Sequence, residues 1–395
     1  MIRRTTRRRS VILGIVASAT CVGIPAGESH AGDFDLNRAQ YFNPRLFGMG
    51  GAFTAVSNDR NLYFMNPSGL AHAQRNIGFE FLPVRINNNA ISAINFYSKN
   101  DKTVQDLENL SDEEQAAFFD DLLAEIGGKT SRASAHLPIW VSLPSSGQGR
   151  VPHLGFGFFA RGGSDFLTVN GASGVPLADL GLDVQYTGIA SAAYSWDTLL
   201  PGRLSFGGSV KIDHRRLALK SKSFLAISGS EDIDFLSGTG FGLDLGALYE
   251  ITPSVRVGAA VFDVVASDFT FGGQDVHDPL DILNENDVGR ISTRYNLGVA
   301  WLPTQNWGPL ENSTFAFDLR ELGDSSQNFW TKIYVGGETH LNTVALRAGF
   351  YQGYPSGGFG LGPLQYAYFS NELGKYPGTR SNYQHALSFA FRFGI

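Results

Sequence analysis

The chain has 395 residues, a formal net charge of −6, 47 glycines, and 12 % aromatic against 17 % charged residues. That balance excludes a disordered chain, which is poor in aromatics and rich in charge, and a basic nucleic-acid binder. The single cysteine, Cys21, excludes a disulfide scaffold, and beyond the N-terminus no uncharged apolar run approaches the ~20 residues that cross hydrocarbon as a helix.

Residues 1–31 read as a secretory signal peptide. Five arginines lie in the first nine positions, an apolar stretch covers 11–25, and Ser29 and Ala31 supply small residues before a cut at Gly32. Two alternatives stay open on the same residues. The paired arginines could direct export of a folded chain, and Cys21 could carry a lipid, although Ser18, Ala19 and Thr20 lack the usual leucine. Losing five Arg and one Glu takes the net charge from −6 to −10.

Residues 32–75 are rich in Gly and Asn and have no sustained period. From 76 onward period-2 alternation recurs, the pattern of strands with two unlike faces. Leu387, Phe389, Phe391 and Phe393 alternate with Ser388, Ala390 and Arg392, and 204–213, 241–246, 314–320 and 344–350 behave alike. The segments reach the ~9–11 residues of a tilted spanning strand, and their polar phase is rich in Gly, Ala and Ser. These features point to an all-β fold, a transmembrane antiparallel β-barrel over 76–395.

The expected strands are 76–98, 131–144, 151–162, 182–197, 202–220, 238–251, 254–265, 290–303, 312–320, 328–338, 342–352, 356–362, 364–374 and 382–394, about 14 in all. The Asn87-Asn88-Asn89 run marks a kink or turn in the first. Connections 99–130, 163–181, 221–237 and 266–289 are long, and with both termini periplasmic all four fall outside the cell, as outer-membrane barrels require.

Loop 99–130 reads as helical. Ser111 and Glu114 have capping-box spacing, Phe118, Leu122 and Ile126 recur at helical period, and Gly127-Gly128 ends the helix. Phe119 and Leu123 widen the apolar stripe. Two readings stand: the stripe caps its own barrel mouth, or Phe118, Phe119, Leu122 and Leu123 gather a hydrophobic ligand or dock a partner.

No enzyme signature occurs, neither a Walker loop, HExxH, paired CxxC nor GxSxG. The chain is expected to be no enzyme and to need no cofactor or metal. The acidic stretch 273–287 could hold Ca²⁺ through carboxylates but lacks EF-hand spacing, and reads as a solvated loop. The inward-phase charges Lys211, Asp213, Asp244, Asp318, Arg320, Arg347 and Arg392 are expected to pair with one another or with a plug.

A plug is expected because a barrel of this size has an interior wider than side chains fill. Residues 45–72 precede the first strand, with Gly48, Gly50 and Gly51 permitting tight turns and Asn66-Pro67 fixing an extended one. The run GMGGAFTAVSND…MNPSGLA resembles the N-terminal signature of the FadL/PorV superfamily of outer-membrane barrels. Gly48, Met49, Gly50, Gly51, Ala52, Ala55, Asp59, Asn66, Pro67, Gly69 and Leu70 match that pattern, with Ser68 replacing the usual Ala. Residues 346–353, 360–368 and 387–391 are similar to the closing hairpins.

The resemblance implies a 14-stranded barrel in the outer membrane of a Gram-negative-type bacterium, with residues 32–75 as an N-terminal hatch in which Asn66, Pro67 and Ser68 form the motif. FadL-like members pass long-chain fatty acids or other apolar compounds, often sideways through the wall. PorV-like members carry exported proteins in secretion, and some similar sequences have a conjugal-transfer label. The expected function is admission of hydrophobic small molecules. The alternative is a platform that carries or docks exported proteins. Expected partners are outer-membrane lipid, a hydrophobic ligand and, on the alternative, exported proteins.

Overall fold

The structure, a computed structural model, describes residues 43–56, 61–143, 151–170, 175–197, 202–223, 235–265, 267–268, 270–271, 290–291, 293–323 and 327–395. The signal peptide, residues 32–42 and 57–60 of the expected hatch, and the whole acidic stretch 273–287 lie outside these residues. No helix among the described residues is long and apolar enough to cross a membrane.

Alternation of outward apolar and inward polar side chains fits one closed sheet of 14 strands. They are β1 (Asn76–Asn87), β2 (Ser131–Leu143), β3 (His153–Asn170), β4 (Pro176–Asp197), β5 (Arg203–Ser223), β6 (Leu236–Thr252), β7 (Val255–Phe262), β8 (Arg294–Trp301), β9 (Leu310–Leu322), β10 (Ile333–Leu341), β11 (Val344–Tyr351), β12 (Tyr354–Leu361), β13 (Leu364–Glu372) and β14 (Ser381–Gly394). Each pairs antiparallel with its neighbours in sequence, and β14 pairs with β1 to close the ring. Outward positions are exposed and apolar, with Phe241 at 66 %, Val210 at 58 % and Phe350 at 54 %, while Arg215, Asp244 and Asp318 point inward and are buried. A water-soluble sandwich would reverse that arrangement; a transmembrane barrel requires it. At the closing seam Phe79 stacks on Phe391 with ring centroids 5.3 Å apart.

Three expected boundaries are corrected. The first strand stops at Asn87, which caps a helix, α3 (Asn88–Lys99), by accepting from Ala90 N at 2.9 Å; two shorter helices, α1 (Pro44–Gly48) and α2 (Leu62–Met65), precede β1. The same Asn87 amide donates to Thr130 O and Asn382 Oδ1, tying β1 to both neighbours. Segment 163–181 is no long loop: β3 runs to Asn170 and β4 starts at Pro176. β3 and β4 stay paired without a break from His153–Ala193 to Asn170–Pro176, and Arg132 of β2 holds Asp165 of β3 at 2.5 Å on the other side. The 221–237 connection is likewise shortened, because β5 reaches Ser223 and β6 begins at Leu236.

Loop 99–130 is helical, with α4 (Asp101–Gln105) followed by α5 (Asp112–Ile126). The Ser111–Glu114 capping box forms in both directions. The Ser111 N–H on the Glu114 carboxylate holds that exposed carboxyl below its usual range. One end of the barrel, the loop end, carries these helices. The other, the turn end, carries the connections after β2, β4, β6, β8, β10 and β12 together with the start of β1 and the end of β14.

Candidate functional site

Residues 43–56 and 61–73 lie inside the ring, against the inward faces of the strands. Their burial is nearly complete, with Phe53, Thr54, Leu62, Asn66 and Leu70 at 0 % exposure. Helix α1 ends in a Schellman motif: Gly51 N bonds Leu46 O at 2.9 Å and Gly50 N bonds Phe47 O at 3.1 Å. Gly50 and Gly51 take φ of +62° and +80°, which a side chain would strain.

Three cross-strand glycine pairs seat this segment. Gly207 and Gly246 face each other on β5 and β6. A Cβ on Gly246 would stand 2.1 Å from Asn66 Oδ1, and one on Gly207 2.5 Å from the Pro67 carbonyl carbon. Gly258 and Gly298, paired on β7 and β8, leave room for Thr54 and Ala55. Gly336 and Gly349, paired on β10 and β11, leave room for Met49 and Gly50, since a Cβ on Gly336 would lie 2.1 Å from Met49 O. The segment therefore touches wall backbone directly in three places.

Polar groups complete the seats. The Asn66 amide donates to Thr54 O at 2.9 Å and to Ala247 O of β6 at 3.0 Å, and its Oδ1 accepts from Ser68 N and Oγ. Asn66 thus bridges segment to wall, while Pro67 starts the 3₁₀ turn Pro67–His72. Asp318 accepts from Phe53 N, Thr54 N and Thr54 Oγ1. Arg320 donates to Gly51 O at 3.0 Å with its guanidinium 4.6 Å over the Tyr334 ring. Glu338 accepts from Arg45 of the segment at 2.8 Å and from Arg347 of β11 at 2.6 Å. Phe47 stacks on Phe369 at 3.9 Å. Burial pushes the His72 imidazole down to about 4, outweighing nearby Glu250.

The interior toward the loop end is polar. Asp183 is held by Arg215 at 3.1 Å and by Arg161, and Lys211 bridges Asp244 and Asp263 at 2.8 Å each. Asp213 is bonded by Gln185 and Thr187 instead of by a cation. Of the inward-phase charges, Lys211, Asp244, Asp318, Arg320 and Arg347 pair as expected with each other or with the segment; Arg392 lies at the exposed end of β14. Glu338, Asp183 and the glycine seats were not singled out in the sequence. Glycine at cross-strand positions was the available signal.

Phe118, Phe119 and Leu122 come together, but not with Asn66, Pro67 and Ser68. They are covered by Ala93 and Phe96 of α3, Leu107, and Leu177 and Ala178 of β4. Leu123 is half-buried. Of the two readings of this stripe, the packing is that of a cap: helix α3 covers Phe118, Phe119 and Leu122.

The β1–β2 ladder shifts register before α3, while Glu80 and Phe81 stay paired with Ala390 and Phe389 of β14. β1 and β2 pair up to Phe79–Ile139 and resume at Val84–Ala135, with no pairs for residues 80–83. Pro83 and Pro138 have no N–H to give, Leu82 takes φ of +50°, and Phe81 and Leu82 are exposed.

The fold is shared with a solved barrel, and two further barrels are similar over most of their length. The Ralstonia pickettii toluene transporter TbuX is 14 % identical, with 91 % of this chain and 100 % of that chain covered and a TM-score of 0.50. The P. putida toluene transporter TodX is 12 % identical, with 91 % and 100 % covered and a TM-score of 0.48. A Pseudomonas aeruginosa FadL homologue is 10 % identical, with 90 % and 99 % covered and a TM-score of 0.25. No curated protein sequence matches. A family model described as "F plasmid transfer operon, TraF, protein" matches residues 63–309, from α2 through the turn after β8, more than half of the chain. The chain therefore belongs to this TraF family of the F plasmid transfer operon.

Proposed function

We propose that the protein admits hydrophobic small molecules, long-chain fatty acids or similar apolar compounds, into the outer membrane of a Gram-negative-type bacterium, with residues 32–75 as a hatch and no catalytic step. The observation that carries this reading is the interrupted β1–β2 ladder at residues 80–83. It lies a few residues before α3, which contributes to the apolar cluster around Phe96, Phe118 and Leu122. An apolar solute that enters past this cluster meets ion pairs in the lumen and, beyond them, a segment held by Asp318, Glu338 and Asn66. Leaving hydrocarbon-like surroundings for that interior costs free energy, so the favoured exit is sideways through the gap.

Uptake of labelled oleate and of toluene, the compound named for the barrel of like fold, by cells carrying the protein tests this. Pro83→Val with Pro138→Val restores both missing donors and should cut uptake several-fold while the barrel still assembles. Unchanged uptake would exclude the sideways exit, and no uptake by the unaltered protein would exclude transport.

A second reading, a PorV-like component that docks exported proteins, draws on the closed interior, where Arg45, Glu338 and Arg347 tie segment to wall. It predicts no uptake of either solute and co-purification of an exported protein that is lost when loop 99–130 is shortened.

A further inference from the structure

At the turn end a cavity of about 680 Å³ opens between the inner segment and strands β7 and β10 to β14. Arg45, Arg256, Arg347 and Arg392 line it against one carboxylate, Glu338. Glu338 already serves two guanidinia, accepting from Arg45 and Arg347. Glu250, just outside, takes Arg256 at 2.7 Å. Among the described residues the charge count of the lining is positive even with both carboxylates included. The remaining polar lining is the amides of Asn43, Gln74 and Gln365, the imidazoles of His72 and His340, and Thr343. Gly360 keeps the space open, since a Cβ there would lie 3.0 Å from Arg347 Nη2.

We propose that this cavity binds a small oxyanion, a carboxylate or phosphate. Guanidinium forks match both groups with paired N–H donors, and a recessed site of one sign concentrates the opposite one. Three of the arginines belong to the wall and Arg45 to the inner segment, so a bound anion spans the two and fastens the segment. This site faces the turn end and is independent of the transport reading.

The test is thermal unfolding of the purified full chain in neutral detergent, in phosphate or citrate against sodium chloride of equal ionic strength. A saturating rise in Tm at millimolar anion is expected, because a ligand that binds only the folded state stabilises it. Arg392→Gln, at the exposed rim, should weaken the apparent affinity about tenfold, the equivalent of one hydrogen bond to a charged group. Arg256→Gln should do the same. Glycerol 3-phosphate and short-chain phosphatidylglycerol separate a free anion from a lipid headgroup as the source. A rise no larger than in chloride, or one that neither variant reduces, overturns the proposal. So does binding that appears only after residues 32–42 are removed, which would give the site to the chain's own Asp33 and Asp35.

Discussion

One oxygen of Asp318, Oδ2, accepts both the backbone N–H of Thr54 at 2.8 Å and its hydroxyl at 2.7 Å. Phe53 N adds a third bond at 2.7 Å, and the carboxylate is fully buried on β9. Its cross-strand partner is Gly298, whose absent side chain makes the space for Asp318 and Thr54. Asp318→Ala leaves two backbone donors and a hydroxyl without an acceptor, at about 3 kcal/mol or more for the segment. Amide exchange at Phe53 and Thr54 should rise about a hundredfold, while exchange in β9 to β11 changes little.

The glycine pairs predict a second class of variant. Gly336→Ala sets a methyl against Met49 O, which is backbone and cannot swing aside, and Gly246→Ala sets one against Asn66 Oδ1. Each should assemble as a barrel, since the outward faces are untouched, but with the inner segment displaced and ion conductance in planar bilayers increased. Gly188→Ala is the control, because a Cβ there meets nothing within 4 Å. Equal conductance in all three would mean the segment does not obstruct the lumen.

The lipid face is tested at Phe317, which lies between Val299 and Val335 on the neighbouring strands and is 43 % exposed. Phe317→Arg places a cation in hydrocarbon at a cost of ~2–4 kcal/mol near mid-depth. The folded fraction in isolated outer membranes, read by heat-modifiable migration, should fall. A full yield would place this face elsewhere than in lipid.

Strand number and order were legible because alternation over a spanning length has few other causes. Their ends were not, because β3 and β4 continue past the apolar band through polar residues such as Asp165, Asp179 and Asp183, which read as loop chemistry. Helix α3 was hidden for a different reason. Its residues alternate tolerably as a strand, and the helix is favoured by the Asn87 cap together with the packing of Ala93 and Phe96 on Phe118 and Leu122, a contact distant in sequence. A plug was expected because residues 45–72 precede the first strand of a barrel wider than side chains fill. The seats were not, since a glycine that lines a lumen and one that receives another backbone look alike until the cross-strand partner is known.

The last prediction separates a local anchor from a relay. The Glu372 carboxylate accepts from Tyr354 Oη at 2.5 Å, from the backbone of Gly374, Gly378, Thr379 and Arg380, and from the Thr379 hydroxyl, so one side chain shapes loop 373–380. Its own N–H bonds Gln352 Oε1 at 2.9 Å, and Gln352 Nε2 reaches Tyr334 Oη at 3.3 Å. Tyr334 lies under Arg320, which holds Gly51 O. The contacts are therefore continuous from an end loop to the inner segment. Glu372→Ala removes the anchor alone. Its exposed loop donors regain water, so the cost is local, about 1–3 kcal/mol, read as faster proteolysis within 374–380 at an unchanged barrel melting temperature. Gln352→Ala removes the link and leaves the anchor. Amide exchange should then rise at Glu372 and at Gly51 together. A contiguous path is not by itself evidence of coupling, so the deciding measurement is the double variant. If Glu372→Ala leaves exchange at Gly51 unchanged while Gln352→Ala raises it, and the two effects on Gly51 do not add, the relay ends at Gln352 and the loop only rests on it. If Glu372→Ala alone raises exchange at Gly51 tenfold or more, the loop and the inner segment move as one unit.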